Sequence, residues 1–260
     1  MLTALEYLGS VGIGVTTPQL FRANDGQLYI VKLLNNPMGS KVLVNEYIAC
    51  WFGLRMELCF PVSDLFEIDE QLVKKKRRLR VTEGPHFASR YLHGARYVTR
   101  HDLKKAVNKR VMAGVILFDH MFHNIDRTKN SKNLLVCREG ENRVLYAIDN
   151  SHLFVRGRWN PQSIEKLAEK ITVNQWRVYG WLLKNFLRTD DFIVYVEKIK
   201  GICDAELAEL VESIPLKWLA KTEEREALLN YMIRRRGMVD DVVNTLCQSI
   251  PNINRRTYFY

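Results

Sequence analysis

The residues of this chain best suited to joint chemistry are Asp126, Asn133 and Asp149, with Lys32 and Glu46 far upstream. Asp126 lies in His123-Asn124-Ile125-Asp126-Arg127-Thr128-Lys129-Asn130, Asn133 opens the apolar run Leu134-Leu135-Val136, and Asp149 follows Tyr146-Ala147-Ile148. This order matches what phosphoryl transfer from ATP requires. Asp126 would orient or deprotonate an acceptor hydroxyl, while Asn133 and Asp149 would give amide and carboxylate oxygens to Mg2+. Asn and Asp also favour turns for local reasons, so an Asx-rich loop is the alternative.

Lys32 lies in Tyr29-Ile30-Val31-Lys32-Leu33, where strand alternation puts its ammonium on the face opposite Val31, within reach of a phosphate. Alone it reads equally as a solvent-facing strand lysine. Glu46 follows fourteen residues later and can pair with it, or stand as an exposed helix glutamate. Each gains meaning from the other. Upstream, Gly12 and Gly14 would let backbone amides approach a triphosphate, although two glycines can also mark a simple turn. The spacing is not a strict G-x-G-x-x-G, which gives the Ser10, Thr16 and Thr17 hydroxyls a part in phosphate binding.

The elements that must position these residues divide the chain. Gln19 to Ala23, Leu28 to Leu34 and Cys59 to Ile68 read as strands, with Asn24-Asp25-Gly26 as a hairpin turn. Leu43, Tyr47, Trp51 and Leu54 recur at helical spacing and predict a helix over Ser40 to Arg55. From about Tyr97 the pattern turns helical, with Thr99 and Asp102 as caps and Leu103 to Phe122 as one mostly buried helix. Asn133 to Val136 and Val144 to Ile148 read as a hairpin around Glu139-Gly140-Glu141-Asn142. Helices follow, opened by Asn160-Pro161, Thr189, Asp204 and Thr222, with Gly201 ending the one that Thr189 opens.

Composition narrows the class. With 260 residues, 47% hydrophobic, the chain can bury a substantial core. No apolar stretch is long enough to cross a bilayer, and the start lacks a basic n-region, so secretion and membrane spanning are not expected. Five cysteines without a C-x-x-C pair suggest free thiols, small core residues in a cytoplasmic protein. A net charge of +10 attracts anions without choosing among them. The run Lys74 to Arg80 could meet nucleic acid phosphates, although a solvated excursion between strands is the stronger expectation. His120 and His123 stand three apart without a third ligand, so a polar helix face rather than zinc is expected.

At these residues the sequence resembles the HipA-like protein kinases, and more distantly the phosphatidylinositol kinases. The resemblance runs through Thr17 to Ala23, the Tyr-x-Val-Lys around Lys32, Val44-Asn45-Glu46, His86 to Leu92 and the Asp126 to His152 region. Ile214-Pro215 with Trp218 and the Arg234 to Arg236 helix end extend it. It implies an α+β, two-lobed kinase-like fold, with a strand-rich nucleotide-binding lobe over residues 1–92 and a helical catalytic lobe over 93–260. It also implies ATP, Mg2+ and transfer to a hydroxyl, usually Ser or Thr of a protein, with Ser89, Arg90, Tyr91 and Leu92 receiving the adenine. Autophosphorylation in the front loop is a further implication.

Two departures stand out. Asp126 and Asn133 are seven positions apart, longer than is common in kinases of this broad class, so either the loop carries extra residues or Asn130 shares the metal role. Ser151 replaces the usual glycine in Asp149-Asn150-Ser151-His152. Two other functions stay open at this point: a kinase for a small molecule or lipid headgroup, and a non-catalytic kinase-fold scaffold.

Overall fold

The computed structural model describes residues 1–11, 14–74, 79–155, 157–175 and 177–251. Its strand-rich amino-terminal region holds β1 (Leu2–Ser10), β2 (Gln19–Ala23), β3 (Leu28–Lys32), α1 (Lys41–Met56), β4 (Ser63–Glu67), α2 (Glu70–Lys74) and β5 (His86–Arg90). The five strands close into a barrel in the order β1-β2-β3-β5-β4, with β1 parallel to β4. The β2–β3 hairpin forms where Asn24-Asp25-Gly26 predicts it. Asp25 accepts from the Gln27 N–H at 2.9 Å, and Gly26 takes the left-handed φ of +77° that the turn needs. Phe21, Tyr29, Val31, Phe66 and Ala88 alternate inward and fill the barrel.

Beyond Tyr91 come β6 (Arg96–Tyr97), α3 (Arg100–Lys105), α4 (Met112–Met121), α5 (Ile125–Lys129), β7 (Leu134–Glu139) and β8 (Asn142–Ala147). Then follow helices α6 (Pro161–Ala168), α7 (Arg177–Asn185), α8 (Asp190–Lys200), α9 (Asp204–Ser213), α10 (Thr222–Gly237) and α11 (Val239–Cys247). Strands β6, β7 and β8 form a second sheet, its hairpin in the expected place, with Leu134 opposite Ala147 and Glu139 opposite Asn142. The larger core joins α1, the wholly buried α4 and the later helices, through Phe52, Phe118, Phe122, Phe192, Tyr231 and Leu246 among others. Helix α1 therefore carries one end of the site into the main core while β3 carries the other.

Several expected boundaries differ. Strand β1 was not anticipated: its apolar residues do not alternate, because register shifts interrupt its pairing with β2. The single helix expected over Leu103 to Phe122 is broken. Ala106 pairs with Arg143, and the Asn108 amide bonds the Leu145 backbone in both directions at 2.9 and 2.8 Å, which ties this stretch to β8. The strand expected over Cys59 to Ile68 begins only at Ser63, after a Pro61 that has no N–H for a ladder.

Asn160-Pro161 does open a helix, the Asn160 side chain accepting from the Ser163 N–H at 2.9 Å. Thr189 makes no side-chain cap, and Asp204 and Thr222 are first helical residues rather than caps. His120 and His123 do not lie on a polar face: both are buried, at 3% and 4% exposure, among hydrogen-bond partners. None of the five cysteines is paired in a disulfide, and Cys203 is exposed rather than in the core. Among the described residues, no helix is long and apolar enough to cross a membrane.

Candidate active site

The site forms where β3, α1 and the end of the β7–β8 hairpin meet. Because Val31 fills the barrel, alternation turns Lys32 the other way, into a cleft of about 590 Å³. There its Nζ donates to Glu46 Oε1 and, at 2.8 Å, to Asp149 Oδ1. Burial alone would lower the lysine pKa, but the Asp149 and Glu46 carboxylates outweigh it and raise it above the usual lysine range. Asp149 is held well below the usual carboxylate range, Lys32 overcoming the effect of burial. Glu46 shifts upward, since burial exceeds the relief that Lys32 gives.

A second layer fixes these groups. The Asn150 N–H donates to Glu46 Oε1 at 3.0 Å, and Arg127, itself 1% exposed, donates to Asn150 Oδ1 and to Asp119 Oδ1 at 2.8 Å. Tyr179 and Asn124 also donate to Asp119. Burial pushes the Asp119 carboxyl up to about 6, even with Arg127 opposing. Asn45 on α1 donates to the carbonyls of Ser151 at 2.8 Å and Gly157 at 3.0 Å, and accepts from Trp159 Nε1 at 3.0 Å. Asp149 itself stands at φ +61°, a left-handed conformation uncommon outside glycine but one that Asp adopts more readily than most residues.

Asp126, Asn130 and Asn133 form the other half. The Asn133 amide donates to Asp126 Oδ2 at 2.6 Å, and Asn130 Nδ2 lies 3.3 Å from Asn133 Oδ1. The seven-residue spacing is absorbed by the turn of α5 and the 3-10 turn Ser131–Asn133, so both asparagines stay beside Asp126. The Ile148 N–H donates to the Asn133 carbonyl at 2.9 Å, bringing Asn133 to the hairpin mouth next to Asp149. Ser151, whose Oγ donates to Asp149, lies 3.1 Å from His152 Nδ1, which is 4.0 Å from Asp126 Oδ2. A polar chain thus joins the two halves.

Of the other candidate residues, Gly14, Thr16, Ser89, Arg90, Tyr91 and Leu92 line the cleft with Lys32, Glu46 and Asp149. Thr17 is exposed, at φ +45°, and its carbonyl accepts from the Gln19 side chain, away from the lining. Gly12 lies outside the described residues, as do residues 75–78 of the basic run. Asp119, Asn150 and Tyr179 were not singled out from the sequence. The available signal was an aspartate set, with His120 beside it, inside the otherwise apolar run Val115 to Met121.

Among the described residues no three His, Cys, Asp or Glu side chains group as a ready-made metal centre. The donors that are present suit a hard cation that also uses water and phosphate oxygens. Lys32 and Ser151 engage Asp149 Oδ1, leaving Oδ2, and Asn133 adds an amide oxygen.

A lysine–glutamate pair and two acidic centres thus meet at the junction of a strand barrel and a helical region. The chain matches the family described as HipA-like kinase over residues 5–244, and it belongs to that family. Membership implies ATP as phosphoryl donor. Among solved structures, the Helicobacter pylori proinflammatory kinase CtkA is similar, with a TM-score of 0.58 at 14% identity, covering 94% of this chain and 95% of that one. That likeness concerns the fold, a mixed α+β arrangement. A structure of WaaP in complex with acyl carrier protein matches at a TM-score of 0.31 and 13% identity over 90% of this chain and 89% of that one, a level that supports no argument. No curated protein matches.

Proposed function

We propose that this chain transfers the γ-phosphoryl group of ATP to a serine or threonine hydroxyl of a protein, with Mg2+ as the divalent ion. The observation that supports this most is Lys32, buried and joined to both Glu46 and Asp149 at the floor of a cleft whose rim includes Ser89 to Leu92. Residues 1–92 act as a nucleotide-binding lobe and 93–260 as the catalytic lobe, with the cleft between them. Five cysteines outside any disulfide fit a reducing, cytoplasmic setting.

In this assignment the adenine lies against Ser89, Arg90, Tyr91 and Leu92. Lys32 neutralises phosphate oxygens, and the segment with Gly14 and Thr16, which line the cleft, covers them. Asp149, with the Asn133 and Asn130 amide oxygens, would hold Mg2+, which supplies charge neutralisation for the transferred group. Asp126 keeps Oδ2 on Asn133, and its carboxylate takes the acceptor hydroxyl's proton. The hydroxyl oxygen bonds to the γ-phosphorus as the bond to the bridging oxygen breaks, and ADP leaves with that electron pair.

The test is transfer of label from γ-labelled ATP, with Mg2+, to degenerate peptides centred on Ser/Thr or on Tyr. Label on the Ser/Thr pool alone, lost in Asp126→Ala while that variant still binds ATP, is the expected result. ATP turnover that labels only small molecules or lipids would overturn the protein-acceptor assignment.

A further inference from the structure

The β6–β7–β8 sheet carries a pairing that its own chain leaves unfavourable. Arg138 and Arg143 stand directly opposite each other on β7 and β8, so their guanidiniums share one sheet face. Like charges in this position repel. Val136 lies on the same face two residues before Arg138, and its β6 neighbour is Arg96. The three arginines line one groove of about 550 Å³.

One carboxylate lies beneath them. Asp102, wholly buried, takes Arg96 at 2.7 Å and Arg143 at 3.1 Å, orienting both. Two of the three positive charges remain uncompensated, and exposed Arg138 has no carboxylate partner among the described residues. Glu139 follows on the opposite strand face and is engaged by the Tyr146 hydroxyl.

The groove meets the site at the β6 edge of the sheet, where Arg96 borders both the groove and the nucleotide cleft. Tyr97, on the opposite face of β6, stands in the cleft wall, and Lys132, one residue before Asn133, sits 5.8 Å from its ring, so a chain leaving the cleft reaches the arginines around that edge. At ~3.3 Å per strand residue, Val136 is about 10 Å from Asn133 and Arg138 about 17 Å. An extended peptide with its hydroxyl at Asp126 would lay residues three to five positions away along this basic track.

We propose that the groove selects acceptor proteins carrying acidic residues about three to five positions from the phosphorylated hydroxyl. The carboxylates would occupy the space between Arg138 and Arg143 and beside Arg96, relieving the repulsion and holding the acceptor in register. This rests on the protein-kinase assignment above and adds the substrate class.

The probes are three synthetic peptides, each with one central serine and Glu, Gln or Lys at the third to fifth positions on both sides. Binding to the full chain is read by fluorescence anisotropy, without ATP. The Glu peptide is expected to bind at least about tenfold tighter than the Gln peptide, with an advantage that shrinks as salt rises. Arg138→Glu should remove that advantage while leaving the thermal shift given by ATP unchanged. Arg138→Gln, which adds no charge, should reduce it and serves if the Glu variant fails to fold.

Equal binding of the three peptides, or a Glu preference that both Arg138 variants retain, would overturn the proposal. So would a single-stranded oligonucleotide that displaces the Glu peptide at lower concentration and depends on the same arginine, which would assign the groove to nucleic acid. Absence of an ATP shift in the unaltered chain would instead strike the kinase assignment, since the peptide measurement does not use ATP.

Discussion

Lys32 and Asp149, 117 positions apart in the chain, meet at 2.8 Å, and the same ammonium also serves Glu46. The contact joins the third strand of the barrel, the first long helix and the end of the second hairpin. It leaves a buried lysine charged between two carboxylates.

Removing that lysine should cost stability as well as activity. Lys32→Met leaves Glu46 buried, at 5% exposure, beside Asp149 without the ammonium between them. A loss of about 3–5 kcal/mol is expected for breaking one partner out of such a cluster. The double variant Lys32→Met/Glu46→Gln should recover part of it, because Glu46 then carries no orphaned charge and only Asp149 lacks the ammonium. Urea unfolding of both variants measures this, and equal stabilities would show that Glu46 is not held by the pair.

Gly157 should tolerate no side chain. Its φ is +73°, and a Cβ there would lie 2.2 Å from the Ser151 carbonyl oxygen, which Asn45 also binds. Gly157→Ala is expected to lose about 1–3 kcal/mol and to reduce phosphoryl transfer, because Ser151 supports Asp149. Melting temperature and turnover of the variant check both effects.

How much of this was legible follows the range of the interactions. The Asn24-Asp25-Gly26 turn, the Asn160-Pro161 helix start and the hairpin after Asn133 rest on neighbours in sequence and could be read directly. So could the direction of Lys32, which follows from period two beside Val31. The break between α3 and α4 could not, since it depends on Asn108 finding Leu145. The clasp of Asp119 with Arg127 and Tyr179, and the Asn150 N–H on Glu46, are likewise products of tertiary folding. The meeting of Lys32 with Glu46 was anticipated as a pair, but the sharing of that lysine with Asp149 was not.

The two asparagines of the long loop should separate in their effects. The Asn133 side chain touches the Asp126 carboxylate directly at 2.6 Å, whereas the Asn130 side chain reaches Asn133 at 3.3 Å and the Lys132 N–H at 3.1 Å, not that carboxylate. Asn133→Ala is expected to lower transfer by about 100-fold or more, and Asn130→Ala by less than about 10-fold, on the scale of losing one positioned polar group. Comparing turnover at saturating ATP decides this, and a larger loss at Asn130 would move the metal role to it.

Acid should destabilise the chain before it protonates ordinary carboxylates. Burial lowers His86, His120 and His123 to about 4, so each is neutral when folded and takes up a proton on unfolding between about 4 and 6.5. The stability gained by keeping them neutral is complete above that window and lost as pH falls through it. Asp119, raised to about 6, opposes them by releasing a proton on unfolding. Glu46, also raised by burial, opposes them in the same way, so a net uptake of between about one and two protons gives a loss of about 1–2.5 kcal/mol per pH unit near pH 5. Urea midpoints at pH 7, 5.5 and 4.5 measure it, and a flat profile would contradict the buried neutral histidines.

The most direct test of the nucleotide site is thermal stability of the purified chain titrated with ATP, with and without Mg2+, beside Asp149→Ala. Ligand that binds the native state raises its melting temperature by mass action. A rise that needs Mg2+ and disappears in Asp149→Ala is the predicted result. No rise at millimolar ATP, or an identical Mg2+-dependent rise in the variant, would contradict the placement of the phosphoryl-transfer centre at Asp149.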